Sequence, residues 1–194
     1  MEREDIYRGL VWVMWAQLFL YVDFHLGGIN VLPKWVGYVL LWRAIHLLRG
    51  ARPTLGLLEG LCVLLGVRAV FQTNLAQEWL STLPAALDGV QTLVGLVFLA
   101  LDVYFEYQFL TDIAALAGAA GEDGLERSLR RGRDALTVLY TLSCLVGQRT
   151  NPPDWLLAVI ILLVVSVLGA LLCVVLDLNR VRRCYAPQTT PEEP

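Results

Sequence analysis

The run WLLAVIILLVVSVLGALLCVVL, residues 155–176, decides the fold. It is 22 residues long and carries no charge. About 20 apolar residues cross a bilayer core of about 30 Å, so this run predicts a transmembrane helix. The rest of the chain agrees with it. Hydrophobic residues make up 57% of the 194 and charged residues only 17%. A soluble domain carries about 25% charged residues. A domain of this size hides only about 70% of its extended-chain surface in its own core. The excess apolar area predicts contact with lipid. A disordered chain, a disulfide-stapled module and a basic nucleic-acid binder are excluded. The bilayer is the expected partner.

Working outward from residues 155–176, the other apolar stretches are interrupted by single charges. That is usual where packed helices turn a polar residue inward. The expected spans are 6–24, 33–49, 54–71, 84–107, 134–148 and 154–178. Turn chemistry separates them. Gly27-Gly28-Ile29-Asn30 precedes Pro33, and Gly50-Ala51-Arg52-Pro53 divides the second span from the third. Ser81 and Thr82 can cap a helix that has Pro84 in its first turn. A Gly-rich stretch at 118–124 breaks the fourth span from the fifth, and Asn151-Pro152-Pro153 opens the sixth. The stretch 9–22 runs into Tyr21-Val22-Asp23-Phe24-His25 and not into a small-residue cleavage site, so it reads as a retained span. Span five is the shortest, and residues 125–134 are expected to extend the same helix into the cytoplasm. A short interfacial helix is expected near 75–83 and a disordered tail at 186–194.

Charge placement is an independent test of this parse. Basic residues are 14 Arg and one Lys. With both termini cytoplasmic, eleven arginines fall in inner segments, while Lys34 and Arg149 lie in outer loops and Arg68 near an outer helix end. That asymmetry follows the positive-inside rule. Trp35, Trp79 and Trp155 then form an outer aromatic belt. The expected fold is an all-α, multi-pass bundle of six spans, a single domain over residues 1–185.

Catalytic signatures are missing from the sequence: no H-E-x-x-H, no G-x-S-x-G and no phosphate-binding loop. Asp88-Gly89 with Asp102 faintly resembles the acidic motif of the alcohol phosphatidyltransferases. Thr92 and Leu93 stand where that motif needs Ala-Arg, so the likeness is rejected. Cys62, Cys144, Cys173 and Cys184 form no CxxC pair and read as small apolar packers or a lone thiol. No metal or cofactor is expected.

The intramembrane charges carry the functional reading. Ordered by depth they make two layers. The inner one holds Arg43, His46, Glu59, Asp102 and Glu106, and the outer one Asp23, Arg68 and Asp88. An unpaired charge at these depths costs several kcal/mol. Arg43 with Glu59 is therefore the expected pair, with Asp102 sharing the Arg43 network, and Arg68 with Asp88 the second pair. Such charges can simply neutralise one another and fix helix register. Alternatively, they form a polar pathway through Glu59, Asp102 and His46. Gly56-x-x-x-Gly60 on span three allows close helix approach, and intramolecular packing is its expected use. Asn30-x-x-Pro33-x-Trp35 and Asn151-x-Pro153-x-Trp155 differ in spacing by one residue and are read as separate helix entrances, not as a repeat.

The stretch DFHLGGINVLPKWVGY, residues 23–38, resembles a group of bacterial polytopic inner-membrane proteins. These share an acidic-aromatic span end, a Gly-Ile-Asn type of turn, Leu-Pro, and an aromatic-aliphatic-Gly-Tyr helix start. The resemblance implies a polytopic fold in a bacterial inner membrane, with Pro33 opening the second span. It implies no activity. Lys34 stands where the pattern suggests an acid. The leading expectation is a non-enzymatic structural, regulatory or accessory membrane component, alone, as a homo-oligomer or with a membrane partner. The alternative is a small proton- or ion-coupled transporter working through the inner layer.

Overall fold

A computed structural model describes residues 3–21, 25–26, 29–30, 33–71, 88–147 and 153–186. The described chain is all-α apart from one two-residue strand pair. Its elements are α1 (Arg3–Tyr21), β1 (His25–Leu26), β2 (Ile29–Asn30), α2 (Lys34–Leu48), α3 (Pro53–Phe71), α4 (Asp88–Ala119), α5 (Asp123–Gly147) and α6 (Asp154–Cys184). Three of the six helices are long and apolar enough to cross a membrane: Pro53–Phe71, Leu93–Ala119 within α4, and Trp155–Cys184 within α6. Their apolar faces are largely uncovered by the chain. Along α6, Trp155, Ile161, Leu162, Val165 and Leu172 are all well exposed. This is how a lipid-facing helix differs from a core helix, and the chain is a membrane protein in build.

Local chemistry sets the helix ends. His25 pairs with Asn30 and Leu26 with Ile29, antiparallel, so the chain reverses where the Gly27-Gly28 pair was expected to reverse it. Pro33 and Pro153 stand as N-caps of α2 and α6 in extended conformation, at φ −68° and −63°. Pro53 is the first residue of α3, where its missing N–H costs nothing. Between α4 and α5 the Glu122 N–H donates to the Ala117 carbonyl at 3.2 Å, and Gly121 sits at φ +87°. This is the left-handed closing turn that glycine permits.

Two expected boundaries move, and one expected helical extension is present. The fourth span was expected to stop at 107, yet α4 continues to Ala119. Phe109, Leu110, Ile113, Ala114 and Ala117 of that continuation are buried. Its one acid, Asp112, accepts a hydrogen bond from the Thr54 hydroxyl at 2.7 Å, so the charge does not end the helix. The Arg-rich segment before span five is helical from Asp123, continuous with the apolar half. The last helix runs on to Cys184. Asp23, the region 75–83 and the tail from 187 lie outside the described residues, as does the side chain of Asp88.

Each helix packs on the next one in sequence, α3 meets α4, and α6 returns to α1, so the six form a closed ring. In lipid, helix association depends on close van der Waals fit, because tails are as apolar as side chains. Glycines provide that fit at several places, among them Gly37 and Gly132. A Cβ on Gly37 of α2 would sit 2.8 Å from Leu20 Cγ and 3.2 Å from the Ala16 carbonyl oxygen of α1. One on Gly132 of α5 would sit 2.7 Å from Val174 Cγ2 of α6. Gly56 and Gly60 do not serve this purpose. A Cβ at either meets nothing within 4 Å, so the expected intramolecular seam is corrected to an outward-facing one. The packed core fills one half of the ring. There Leu10, Leu41, Ile45, Phe109, Ile113, Leu129 and Leu178 are fully buried.

Candidate functional site

Asp102 is the centre of the other half. Arg68 Nη1 of α3 donates to its Oδ2 at 2.7 Å, and the Tyr38 hydroxyl of α2 donates to its Oδ1 at 2.9 Å. The two charged side chains are about one-fifth exposed, 22% for Arg68 and 19% for Asp102. The Arg68 guanidinium also lies 4.8 Å from the centre of the Phe98 ring. Three helices are thus tied by one carboxylate. The register of α3 on α4 makes this possible. At the start of α3, Arg52 donates to the Ala115 carbonyl at 3.0 Å and Thr54 bonds Asp112. With the two helices antiparallel from there, Arg68 and Asp102 meet several turns higher.

One turn below Asp102, Glu106 takes a different set of partners. Gln17 Nε2 of α1 donates to its Oε1 at 3.2 Å, and Tyr21 of α1 also hydrogen-bonds it. Both donors are neutral. Gln17 is fully buried, and its Oε1 has no hydrogen-bond partner among the described residues. Among those residues no ion pair reaches Glu106.

Asp102 and Glu106 open into one cavity of about 200 Å³. Five helices line it: Tyr21 from α1, Tyr38 from α2, Arg68 from α3, the two acids from α4, and Tyr140 with Thr137 from α5. Lys34, exposed at the first turn of α2, stands at its edge. Beneath the acids the ring is dry. Phe105 stacks on Phe109 with centroids 6.0 Å apart, and Ile113 follows, fully buried. Among the described residues the cavity therefore lies toward the end of the ring where α2 begins and is closed toward the turn between α2 and α3.

These contacts correct the expected pairing. Arg43 does not hold Glu59; its guanidinium lies 4.8 Å from the centre of the Trp12 ring of α1. Glu59 is held by Arg49 Nη1 at 3.2 Å, and His46 Nδ1 lies 3.5 Å from it. Arg49 is beside the turn and half-exposed, so its charge loses less hydration on pairing than one placed two turns into the span. Asp102 belongs with Arg68 and not with Arg43. The expected inner layer thus splits: His46 and Glu59 meet at the turn, Asp102 and Glu106 share the cavity, and Arg43 joins neither. Of the outer layer, Arg68 is at the cavity, while Asp23 and the Asp88 carboxylate are outside the described residues.

Sequence reasoning missed Gln17, Tyr21, Tyr38 and Tyr140 as site residues. Gln17 had a readable signal, an amide in the middle of an apolar span flanked by Ala16 and Leu18. Tyr21 and Tyr38 had none, since a span-end Tyr is equally an interfacial anchor, and Tyr140, in mid-span, reads equally as a packed ring. The described residues hold no group of three or more His, Cys, Asp or Glu that could bind a metal ion. Searches against protein-family models, curated proteins and solved structures found no match to this chain.

Proposed function

We propose that this chain is a multi-pass protein of a bacterial inner membrane, its six helices all crossing and both termini cytoplasmic, and that it is a small proton- or ion-coupled transporter working through the ring cavity. The observation that carries the reading is the cavity itself, which reaches two acids well inside the ring. A structural or accessory component needs its intramembrane charges only neutralised, and sealing them is the cheapest way to do that. Here Asp102 is neutralised by Arg68, yet Glu106 keeps neutral partners at the floor of an accessible space. An acid so placed can change its protonation or its ligand without breaking an ion pair. Charged groups inside spans mark ion and proton pathways for this reason. The basic asymmetry supports the orientation, with the arginines of the α2–α3 turn and the α4–α5 end inward and the cavity outward.

The test is reconstitution of the full chain into vesicles that hold a pH-sensitive dye, with an imposed ion or pH gradient. Proton movement above that of empty vesicles is expected, and Glu106→Gln reduces it at least tenfold. Equal fluxes with and without the protein, for every gradient imposed, overturn the reading.

A further inference from the structure

Resting on the reading of the ring cavity as a solute site, we propose that its ligand is a small organic monocation, an alkylammonium of a few carbons, docked on the Glu106 carboxylate.

Charge comes first. The cavity's two acids differ in what they can still bind. Asp102 already accepts from the Arg68 guanidinium at 2.7 Å, which balances its charge, and from Tyr38 at 2.9 Å. Glu106 accepts from Gln17 and Tyr21, both uncharged, and a carboxylate offers about four lone-pair sites. It has capacity left for a charged donor, and a charge-assisted hydrogen bond is about twice as strong as a neutral one.

The lining sets the rest of the ligand. An ammonium has N–H donors only, and Tyr140 and Thr137 line the same space as Glu106. Aromatic faces attract cations through their ring quadrupole. Phe105, Tyr21 and Tyr140 supply such faces, and Leu65 and Leu136 give an alkyl chain an apolar wall. At about 30 Å³ per water-sized group, a cavity of about 200 Å³ holds about seven of them, which leaves room for the heavy atoms of a butylammonium ion. An anion fits worse. It would meet Glu106 at the floor, and the buried cation, Arg68, is engaged by Asp102. A bare metal ion lacks a third ligating acid, His or Cys among the described residues.

The experiment is titration calorimetry on the full chain in lipid nanodiscs, with empty nanodiscs as the blank. The probes are butylammonium, butanol, butyrate and sodium ion. Saturable binding of butylammonium is expected, at least tenfold tighter than that of the other three. Glu106→Gln should weaken it at least tenfold, and Lys34→Gln, which removes a like charge from the cavity edge, should tighten it about threefold. Butyrate, butanol or sodium binding as well as butylammonium, or no saturable binding of butylammonium, overturns the proposal. The comparison of probes on the unaltered protein stands whether or not the variants fold. Glu106-dependent proton flux with no butylammonium binding rejects this ligand and keeps the transport reading. Butylammonium binding without flux of any ion keeps the ligand and rejects transport.

Discussion

At the scale of single residues, the ion pair between Arg68 and Asp102 is the costliest contact to remove. Asp102→Asn removes a carboxylate charge that Arg68 holds in a site about one-fifth exposed. Breaking a fully buried pair costs about 3–5 kcal/mol, and partial exposure lowers that to about 2 kcal/mol here. Replacing both residues, Arg68→Met with Asp102→Leu, should recover most of the loss, because no charge is then stranded. Unfolding curves in mild detergent check both statements, and an unchanged curve for Asp102→Asn contradicts the pairing. The need for partners was legible in the sequence, since charges inside apolar runs are expensive wherever they fall. The identity of the partners was not. Depth was counted from an inner boundary at 107, which places Asp102 level with Arg43. Counted from Ala119, it lies about 25 Å up α4, while Arg68 lies about 22 Å up α3 from Pro53. Twelve residues of boundary error moved one carboxylate from one arginine to another.

At the scale of elements, the proline-marked helix starts and the ends of α2, α3 and α5 were legible, and the ends of α4 and α6 were not. Pro33, Pro53 and Pro153 each fix a start, because proline is tolerated at a helix entrance and not within it. The ends of α4 and α6 depend on tertiary contacts that no local pattern announces. Thr54 quiets the charge on Asp112, Tyr185 donates to the Leu116 carbonyl at 2.9 Å, and Ser128 hydrogen-bonds Asp177 across α5 and α6. The approach of α1 to α2 was half legible. Gly37, lacking a side chain, leaves room for a neighbour, and the structure supplies Leu20 and the Ala16 carbonyl. Gly37→Leu would force that contact apart. Overpacking costs about 1–3 kcal/mol, and here it should also pull Tyr38 off Asp102, one residue along the same helix. A lowered melting temperature in detergent is the expected result, and a melting temperature equal to that of the unaltered chain would show that the two helices do not meet at Gly37.

At the scale of the whole molecule, the ring has a dry half and a wet half, and that division is the central claim. The composition made the bilayer legible, and hydropathy made the number of helices legible. Nothing in either distinguishes a ring with a cavity from a filled bundle, because the same apolar residues face lipid or core. The division shows only when five helices bring one or two polar side chains each to a common space. Two cysteines placed in turn test it, in a chain whose four native cysteines are replaced by alanine. Thr137→Cys puts a thiol on the cavity wall, and Ile113→Cys puts one in the packed half. A membrane-impermeant thiol reagent is added to right-side-out vesicles. Labelling at 137 within minutes and none at 113 is the result expected of a cavity open to the outer face above a sealed floor. Equal labelling at both positions, or labelling at neither, would contradict it.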